Sequence, residues 1–368
     1  MSLPDEAYWA AFNCSKIGYK NMLKIIDFFG GPKTAWEASK EEIAELISNS
    51  QTIEQFFNFK NNFNEQLYYE QVIKNNAEII SINDKCYPQN LKNIHGAPPV
   101  LYVKGNLPDP SLLHIAVVGT RRATIYGRQV ARKISYDLAT NGAVIVSGLA
   151  RGIDSCAHSG ALEAEGKTVA VLGCGIDVVY PRENRKLFDK ISEEGAVITE
   201  FPLGTSPSKQ NFPARNRIIS GLSSGVLVVE SPKRGGALIT ADLALEQGRD
   251  VFAVPGPIFS KTSEGCNALL KEGAKLVTRA EDILEEYQDF LDDSFVRNAE
   301  GTALNPSDLE GLSPEMKQIV ELLSGGPVSI EELCQHTGNT AGQLNALITH
   351  LELEGLVARG EGKVYLVL

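Results

Sequence analysis

The run Ser208-Lys209-Gln210-Asn211-Phe212-Pro213-Ala214-Arg215-Asn216-Arg217 carries three bases, one aromatic ring and no acid, beside a turn-forming proline. Clustered cations neutralise phosphates without regard to sequence, and an exposed ring offers a stacking face to an unpaired base. Lys209 and Phe212 read as surface groups. Arg215 and Arg217 fit two roles equally well: phosphate partners, or counter-ions of buried acids such as Glu200 or Glu230. A second basic group, Gly119-Thr120-Arg121-Arg122, ends an apolar run and precedes a helical pattern. Backbone N–H groups at a helix start also favour anions, so a phosphate is expected there.

Covalent and cofactor chemistry finds no complete motif. Gly173-x-Gly175 begins like a dinucleotide fingerprint, but Val178 stands where the third glycine belongs. No stretch supplies the G-x-x-x-x-G-K-[ST] loop that surrounds nucleotide phosphates. Asp154 and His158 fall four residues apart in a helical pattern and could in principle exchange a proton. Without a nucleophile elbow, they read instead as a helix-capping acid and a hydrogen-bonded core histidine. The six cysteines, Cys14, Cys86, Cys156, Cys174, Cys266 and Cys334, form no C-x-x-C pair and have no histidine cluster nearby. Neither disulfides nor a zinc site is expected, and no catalytic residue, cofactor or metal is assigned.

The elements that must position these residues lie between His114 and Leu291. Short apolar runs at 115–118, 144–146, 168–172, 196–198, 226–229, 251–254 and 275–277 alternate with helical patterns. Continuous rather than alternating apolar runs mark strands covered on both faces, with helical crossovers between them, so a doubly wound parallel sheet is predicted. In such sheets ligands bind beyond the carboxyl ends of the strands. The turns at Gly119-Thr120-Arg121, Ser147-Gly148, Gly173-Cys174-Gly175 and Glu230-Ser231 then share one rim, where function should lie.

Upstream of residue 111 the chain reads as short helices, with capping boxes Thr34-x-x-Glu37 and Ser39-x-x-Glu42. Ile17-Gly18 and Phe28-Phe29-Gly30-Gly31-Pro32 are read as turns of this helical bundle rather than as a DNA-binding hairpin. From Leu312 the pattern is three helices and a hairpin, the order of a winged helix-turn-helix. Its third helix has no Lys or Arg from Thr340 to Glu354, so it reads as a structural or protein-contact module. The expected domains are a helical front (1–80), a sheet domain (81–291, core 111–291), an acidic linker (292–311) and a winged helix (312–368).

At about 150 residues per domain, 368 residues imply two or three domains. Hydrophobic residues at 43% and charged residues at 22% exclude wholesale disorder, collagen and coiled coil. No apolar run approaches the roughly 18 residues of a membrane span, and the first residues lack a basic-then-apolar leader, so a cytoplasmic location is expected. The net charge of −11 would repel a polyanion, but acids crowd the stretch from Glu281 to Glu310 and bases the stretch from Ile115 to Asp154.

Taken as a set, Val118-Gly119-Thr120-Arg121-Arg122-Ala123, Ser147-Gly148-Leu149-Ala150-Arg151-Gly152-Ile153-Asp154, His158, Val171-Leu172-Gly173-Cys174-Gly175-Ile176-Asp177, Tyr180-Pro181, Phe212 to Gly221 and Val254-Pro255-Gly256 closely resemble the bacterial DNA-processing protein A (DprA/Smf) family. The resemblance covers the whole middle domain. It implies a Rossmann-like domain, without catalysis, that binds and protects single-stranded DNA and loads RecA recombinase onto it during natural transformation and recombination. It also implies a homodimer through that domain and no membrane partner. Carried over residue by residue, DNA contacts fall on Arg121, Arg182, Lys209 and Phe212. With the surrounding rim, the expected single-strand site comprises Gly119, Thr120, Arg121, Arg122, Ser147, Gly148, Arg182, Lys209, Phe212, Arg215, Asn216, Arg217, Gly235 and Gly236. The alternative is a nucleotide-binding, phosphoribohydrolase-like enzyme of the same fold. Such enzymes use a P-G-G-x-G-T-x-x-E loop; the stretch from Lys233 to Asp242 keeps Gly235-Gly236 but lacks the later Gly-Thr and the catalytic Glu.

Overall fold

The computed structural model describes residues 3–287, 312–323, 328–353, 356–360 and 363–366. The acidic linker at 292–311 lies outside them. The chain divides into two compact units, Met1–Tyr287 and Gln288–Leu368.

The first unit opens with six helices: α1 (Asp5–Cys14), α2 (Tyr19–Phe29), α3 (Pro32–Glu37), α4 (Lys40–Leu46), α5 (Ser50–Lys60) and α6 (Glu65–Lys74). The Ser39–Glu42 capping box forms. The Thr34–Glu37 box does not, because Pro32 starts α3 two residues before Thr34, whose hydroxyl donates to the carbonyls of Phe29 and Gly31.

Two strands follow within the stretch expected to be helical, β1 (Glu78–Ser81) and, after the single turn α7 (Gln89–Lys92), β2 (Val100–Gly105). Ile79-Ile80 and Val100-Leu101-Tyr102-Val103 were their signal, short β-branched and aromatic runs. The boundary drawn at residue 80 therefore falls inside a strand. The rest of the unit alternates as predicted: β3 (His114–Val118), α8 (Ile125–Thr140), β4 (Val144–Ser147), α9 (Ile153–Glu163), β5 (Thr168–Val171), α10 (Arg185–Glu194), β6 (Ala196–Thr199), α11 (Asn211–Leu222), β7 (Gly225–Val228), α12 (Gly236–Glu246), β8 (Asp250–Ala253), α13 (Glu264–Lys271), β9 (Lys275–Leu276) and α14 (Glu281–Leu284).

The sheet order is β1-β2-β6-β5-β4-β3-β7-β8-β9. From β6 to β9 all pairs are parallel, while β2 and β1 add antiparallel edges. The chain winds outward from β3 through β4, β5 and β6, then returns to lay β7 on the other side of β3. That reversal is the topological switch point at which such sheets bind ligands.

Adjacent residues of one strand feed opposite faces: Ala170 and Val197 join one buried cluster with Leu162, Phe188, Trp9 and Phe12, whereas Val171 and Ile198 join another with Ile218, Ala241 and Leu269. Both faces are covered, which explains the unbroken apolar runs. The front helices and the sheet share the first cluster, so they bury their apolar stripes against one another rather than forming separate cores.

In the second unit, helices Pro314–Leu323, Ile330–Thr337 and Ala341–Leu353 pack with a three-stranded antiparallel sheet over Ile319, Leu333, Ile348 and Val364. This is the expected winged helix. Within it Gln343 accepts from the Thr340 amide and hydroxyl, and Arg359 donates to the Asn345 carbonyl and the Thr349 hydroxyl.

Candidate nucleic-acid interface

The turn after β3 is fixed by the end of β7. The amide of Thr120 donates to the Glu230 carbonyl at 2.8 Å, and the buried Glu230 carboxylate accepts from the Thr124 amide at 2.9 Å and the Thr124 hydroxyl at 2.6 Å. Thr124 in turn caps α8. The helix start at which a phosphate was expected is thus already served by the protein's own carboxylate, and Arg121 and Arg122 are presented from the turn ahead of it. Gly119 is required by crowding, since a Cβ there would lie 2.5 Å from Ile153 Cγ1 and 2.9 Å from the Glu230 carbonyl oxygen.

Phe212 sits in the first turn of α11, not in a loop; Pro213 is accommodated because a first-turn residue needs no helical N–H bond. Asn211 Nδ2 donates to the Gly173 carbonyl at 3.1 Å, drawing the helix start onto the turn after β5. There the ring packs on Gly173, where a Cβ would come within 2.8 Å of Phe212 Cδ1. The Arg121 guanidinium lies over the Phe212 ring, 4.6 Å from its centroid, and the Tyr180 ring is 5.7 Å away at an interplanar angle of 34°. Phe212 is half-buried, while Tyr180 is 39% exposed.

Arg182 is exposed on the turn two residues beyond Tyr180, and Lys209 is exposed three residues ahead of Phe212. Among the described residues Arg121, Arg122, Arg182 and Lys209 make no ion pair. The structure brings these groups together on the carboxyl edge of the sheet, beside the switch point. Tyr180 was absent from the expected site; its signal was the Tyr-Pro pair preceding Arg182.

Other expected contacts are corrected. Arg215 is 3% exposed and donates to the carbonyls of Gly148, at 2.9 Å, and Val171. It spans the ends of β4 and β5 from inside and cannot meet a solvent-borne phosphate. Its anionic neighbour is Asp154, not Glu200 or Glu230: a Cβ on Gly148 would lie 2.6 Å from both terminal nitrogens of Arg215 and 2.7 Å from Asp154 Oδ2. Gly148 is therefore the gap that this charge cluster fills. Ser147 is fully buried, its hydroxyl donating to the Val117 carbonyl at 2.6 Å.

Arg217 is committed as a counter-ion, bidentate to Glu200 at 2.5 and 2.6 Å and donating to the Gly96 carbonyl at 2.9 Å. Asn216 and Thr120 are half-buried; Asn216 Nδ2 donates to the Gly236 carbonyl at 3.5 Å, and the Thr120 hydroxyl accepts from the Arg122 amide at 3.2 Å. Gly235 is crowded, a Cβ there colliding with Ser231 Oγ, whereas Gly236 faces open space.

Burial raises the Asp154 carboxyl above the usual carboxylate range, against the pull of Arg215. It lowers the Arg215 guanidinium to about 10, with Asp154 opposing the shift. His158 is fully buried and its Nδ1 lies 2.7 Å from the Thr168 hydroxyl, which itself donates to the Ile145 carbonyl at 2.7 Å. Nδ1 is therefore the donor of that bond. Burial, reinforced by Arg215, depresses the imidazole pKa to about 3. Among the described residues no group of His, Cys, Asp and Glu is arranged to hold a metal ion, and no helix is long and apolar enough to cross a membrane.

A doubly wound parallel sheet covered by helices on both faces, its order reversing between β3 and β7, places this unit in the Rossmann-like class. The profile of the family described as DNA recombination-mediator protein A matches residues 78–288, and that of the DprA winged helix domain matches residues 304–363. Protein Smf of Synechocystis is 34% identical, covering 99% of this chain and 99% of its own length. The crystal structure of DNA processing protein A from Streptococcus pneumoniae superposes with a TM-score of 0.68 at 38% identity, over 78% of this chain and 99% of that one. A Helicobacter pylori DNA processing protein A structure, whose subject is its single-stranded DNA binding mode, gives a TM-score of 0.52 at 29% identity, over 58% of this chain and 96% of that one. The chain belongs to the DNA recombination-mediator protein A (DprA/Smf) family.

Proposed function

We propose that the protein binds single-stranded DNA along the carboxyl edge of its sheet, as a binding protein rather than an enzyme. The observation that carries this reading is the Arg121–Phe212–Tyr180 cluster, with the guanidinium 4.6 Å over one ring and the second ring 5.7 Å away. Arg121, Arg122, Arg182 and Lys209, none of them in an ion pair among the described residues, supply phosphate partners; Arg121 also lies within the field of the buried Asp154. The rings supply stacking surface that a duplex, with its bases already stacked, cannot use.

Gly236, which faces open space, lets the strand approach the backbone closely, whereas the room at Gly119 and Gly173 is taken by Ile153 and by the Phe212 ring. Asp154 and His158 support the rival hydrolase poorly, since both are buried and engaged in holding α9 against its neighbours. Family membership extends the proposal to protection of incoming DNA, loading of RecA recombinase onto it in the cytoplasm, and a homodimer formed through the sheet domain. Two linked sites on one strand would raise the effective concentration of each for the other.

The test is binding of labelled single-stranded and duplex oligonucleotides across a salt series. Preference for the single strand, with affinity falling as salt rises, is expected; equal affinity for both or a flat salt response overturns the reading. A strand-exchange assay with RecA and sedimentation of the free protein test the two extensions.

A further inference from the structure

The carboxyl edge continues past the switch point. In the loop after β8, Ile258 is 80% and Phe259 94% exposed, and beside them at the start of α8 Ile125 is 78% and Tyr126 48% exposed. This tip is built, not loose. The Tyr126 hydroxyl donates to the Pro255 carbonyl at 3.4 Å, the Thr262 hydroxyl to Glu230 at 3.3 Å, and the Gly265 amide to the Ser231 carbonyl at 2.8 Å. Asn267 grips both polar groups of Gly256, at 3.3 and 3.0 Å. The loops after β3, β7 and β8 are thereby tied into one rim.

Cations flank the apolar tip. Arg122, Lys233, Arg234 and Lys261 are exposed, and among the described residues none is in an ion pair; Glu264 is the exposed acid of this stretch, and Glu230 is buried under Thr124 and Thr262. A hydrophobic contact between protein subunits depletes charge around its centre, whereas an exposed aromatic among unpaired cations suits a polyanion whose flat groups are free to stack.

We propose that Phe259, supported by Ile258 and Tyr126, is a second base-stacking platform of the single-strand site. The strand then runs from Phe212 past Arg121 and across the switch point to Phe259. The turns after β5 and β8 are four strand spacings apart, about 19 Å at the usual separation of sheet neighbours. The inference rests on the single-strand reading above and deepens it by setting the length and direction of the bound segment.

Two variants test it on the full chain, with oligothymidylate as the probe. Trp9 and Trp36 are buried and are the chain's two tryptophans, so Phe259→Trp adds a reporter at the tip. Its emission should be quenched as oligothymidylate binds. Phe259→Ala should weaken binding by about five- to a hundred-fold, the range of one lost stacking contact, with the sedimentation coefficient of the free protein unchanged. Unmoved emission from the Phe259→Trp protein and unchanged affinity in Phe259→Ala, while Arg121→Ala still loses binding, overturn the second platform and leave the first site standing. A Phe259→Ala protein that changes its oligomeric state and keeps its strand affinity also overturns it, because the tip then serves a second copy of the chain. If neither Arg121→Ala nor Phe259→Ala alters binding, the single-strand reading itself fails.

Discussion

Arg121 separates two contributions that a binding curve alone merges. Its guanidinium stands 4.6 Å over the Phe212 ring on an exposed turn and is in no ion pair among the described residues, Asp154 acting on it only at longer range. An exposed cation–π contact contributes about 0.5–1 kcal/mol, so Arg121→Ala should lower folding stability by no more than about 1 kcal/mol. A hydrogen bond to a charged group contributes about 1.5–3 kcal/mol, so losing a phosphate contact should weaken strand binding about ten- to a hundred-fold. Each phosphate neutralised on a single strand adds about 0.7 to the slope of log affinity against log salt, and Arg121→Ala should reduce the slope by that amount. Arg121→Lys keeps the charge and loses the flat, weakly hydrated group lying on Phe212. It should retain the slope while recovering only part of the affinity. Fluorescence anisotropy of a labelled oligothymidylate over a salt series, with urea unfolding of each variant, reads all these quantities. An Arg121→Ala protein with unchanged slope and affinity, or one that loses binding only because it unfolds, refutes the reasoning.

Gly173→Ala places a Cβ 2.8 Å from Phe212 Cδ1; the displaced ring should cost about ten-fold in strand affinity, with about 1–3 kcal/mol lost in urea unfolding from overpacking. Arg215→Met leaves Asp154 buried without its cation and should destabilise the fold by about 3–5 kcal/mol; adding Asp154→Asn should recover part of that loss in a double-mutant cycle. His158 stays neutral in the folded chain down to about pH 3, while in the unfolded chain it protonates near pH 6.5. Its contribution is complete above about pH 6.5 and declines as pH falls, by at most about 1.4 kcal/mol per pH unit. The raised Asp154 carboxyl works in the opposite sense, so the comparison is between urea midpoints of the parent and of His158→Gln at pH 7 and pH 5, where the variant should show the smaller acid loss. Removing residues from Leu312 onward should leave strand affinity within about two-fold, since the third winged helix has no Lys or Arg to bring to a phosphate.

The seven parallel strands, their crossovers and the winged helix could be read off the sequence, which carried them because burial on both faces leaves continuous Val/Ile runs and capping residues announce helix starts. It also determined that cations and a ring gather at the carboxyl edge, since parallel strands must send their following turns to one side. The two antiparallel edge strands escaped because Glu78–Ser81 and Val100–Gly105 are short, and only long-range pairing with β6 makes a strand of Val100–Gly105, against which Glu78–Ser81 then pairs. Which bases face solvent was settled only by tertiary structure. Arg215 and Arg217 lie two apart on one helix beside Lys209 and have the same chemistry, yet one is sealed under Gly148 and the other is held by Glu200. The residues that claim them come from β4, β5 and β6 and from the loop before β2, far away in the chain. A charge's role depends on what it is packed against, and local spacing carries no record of that.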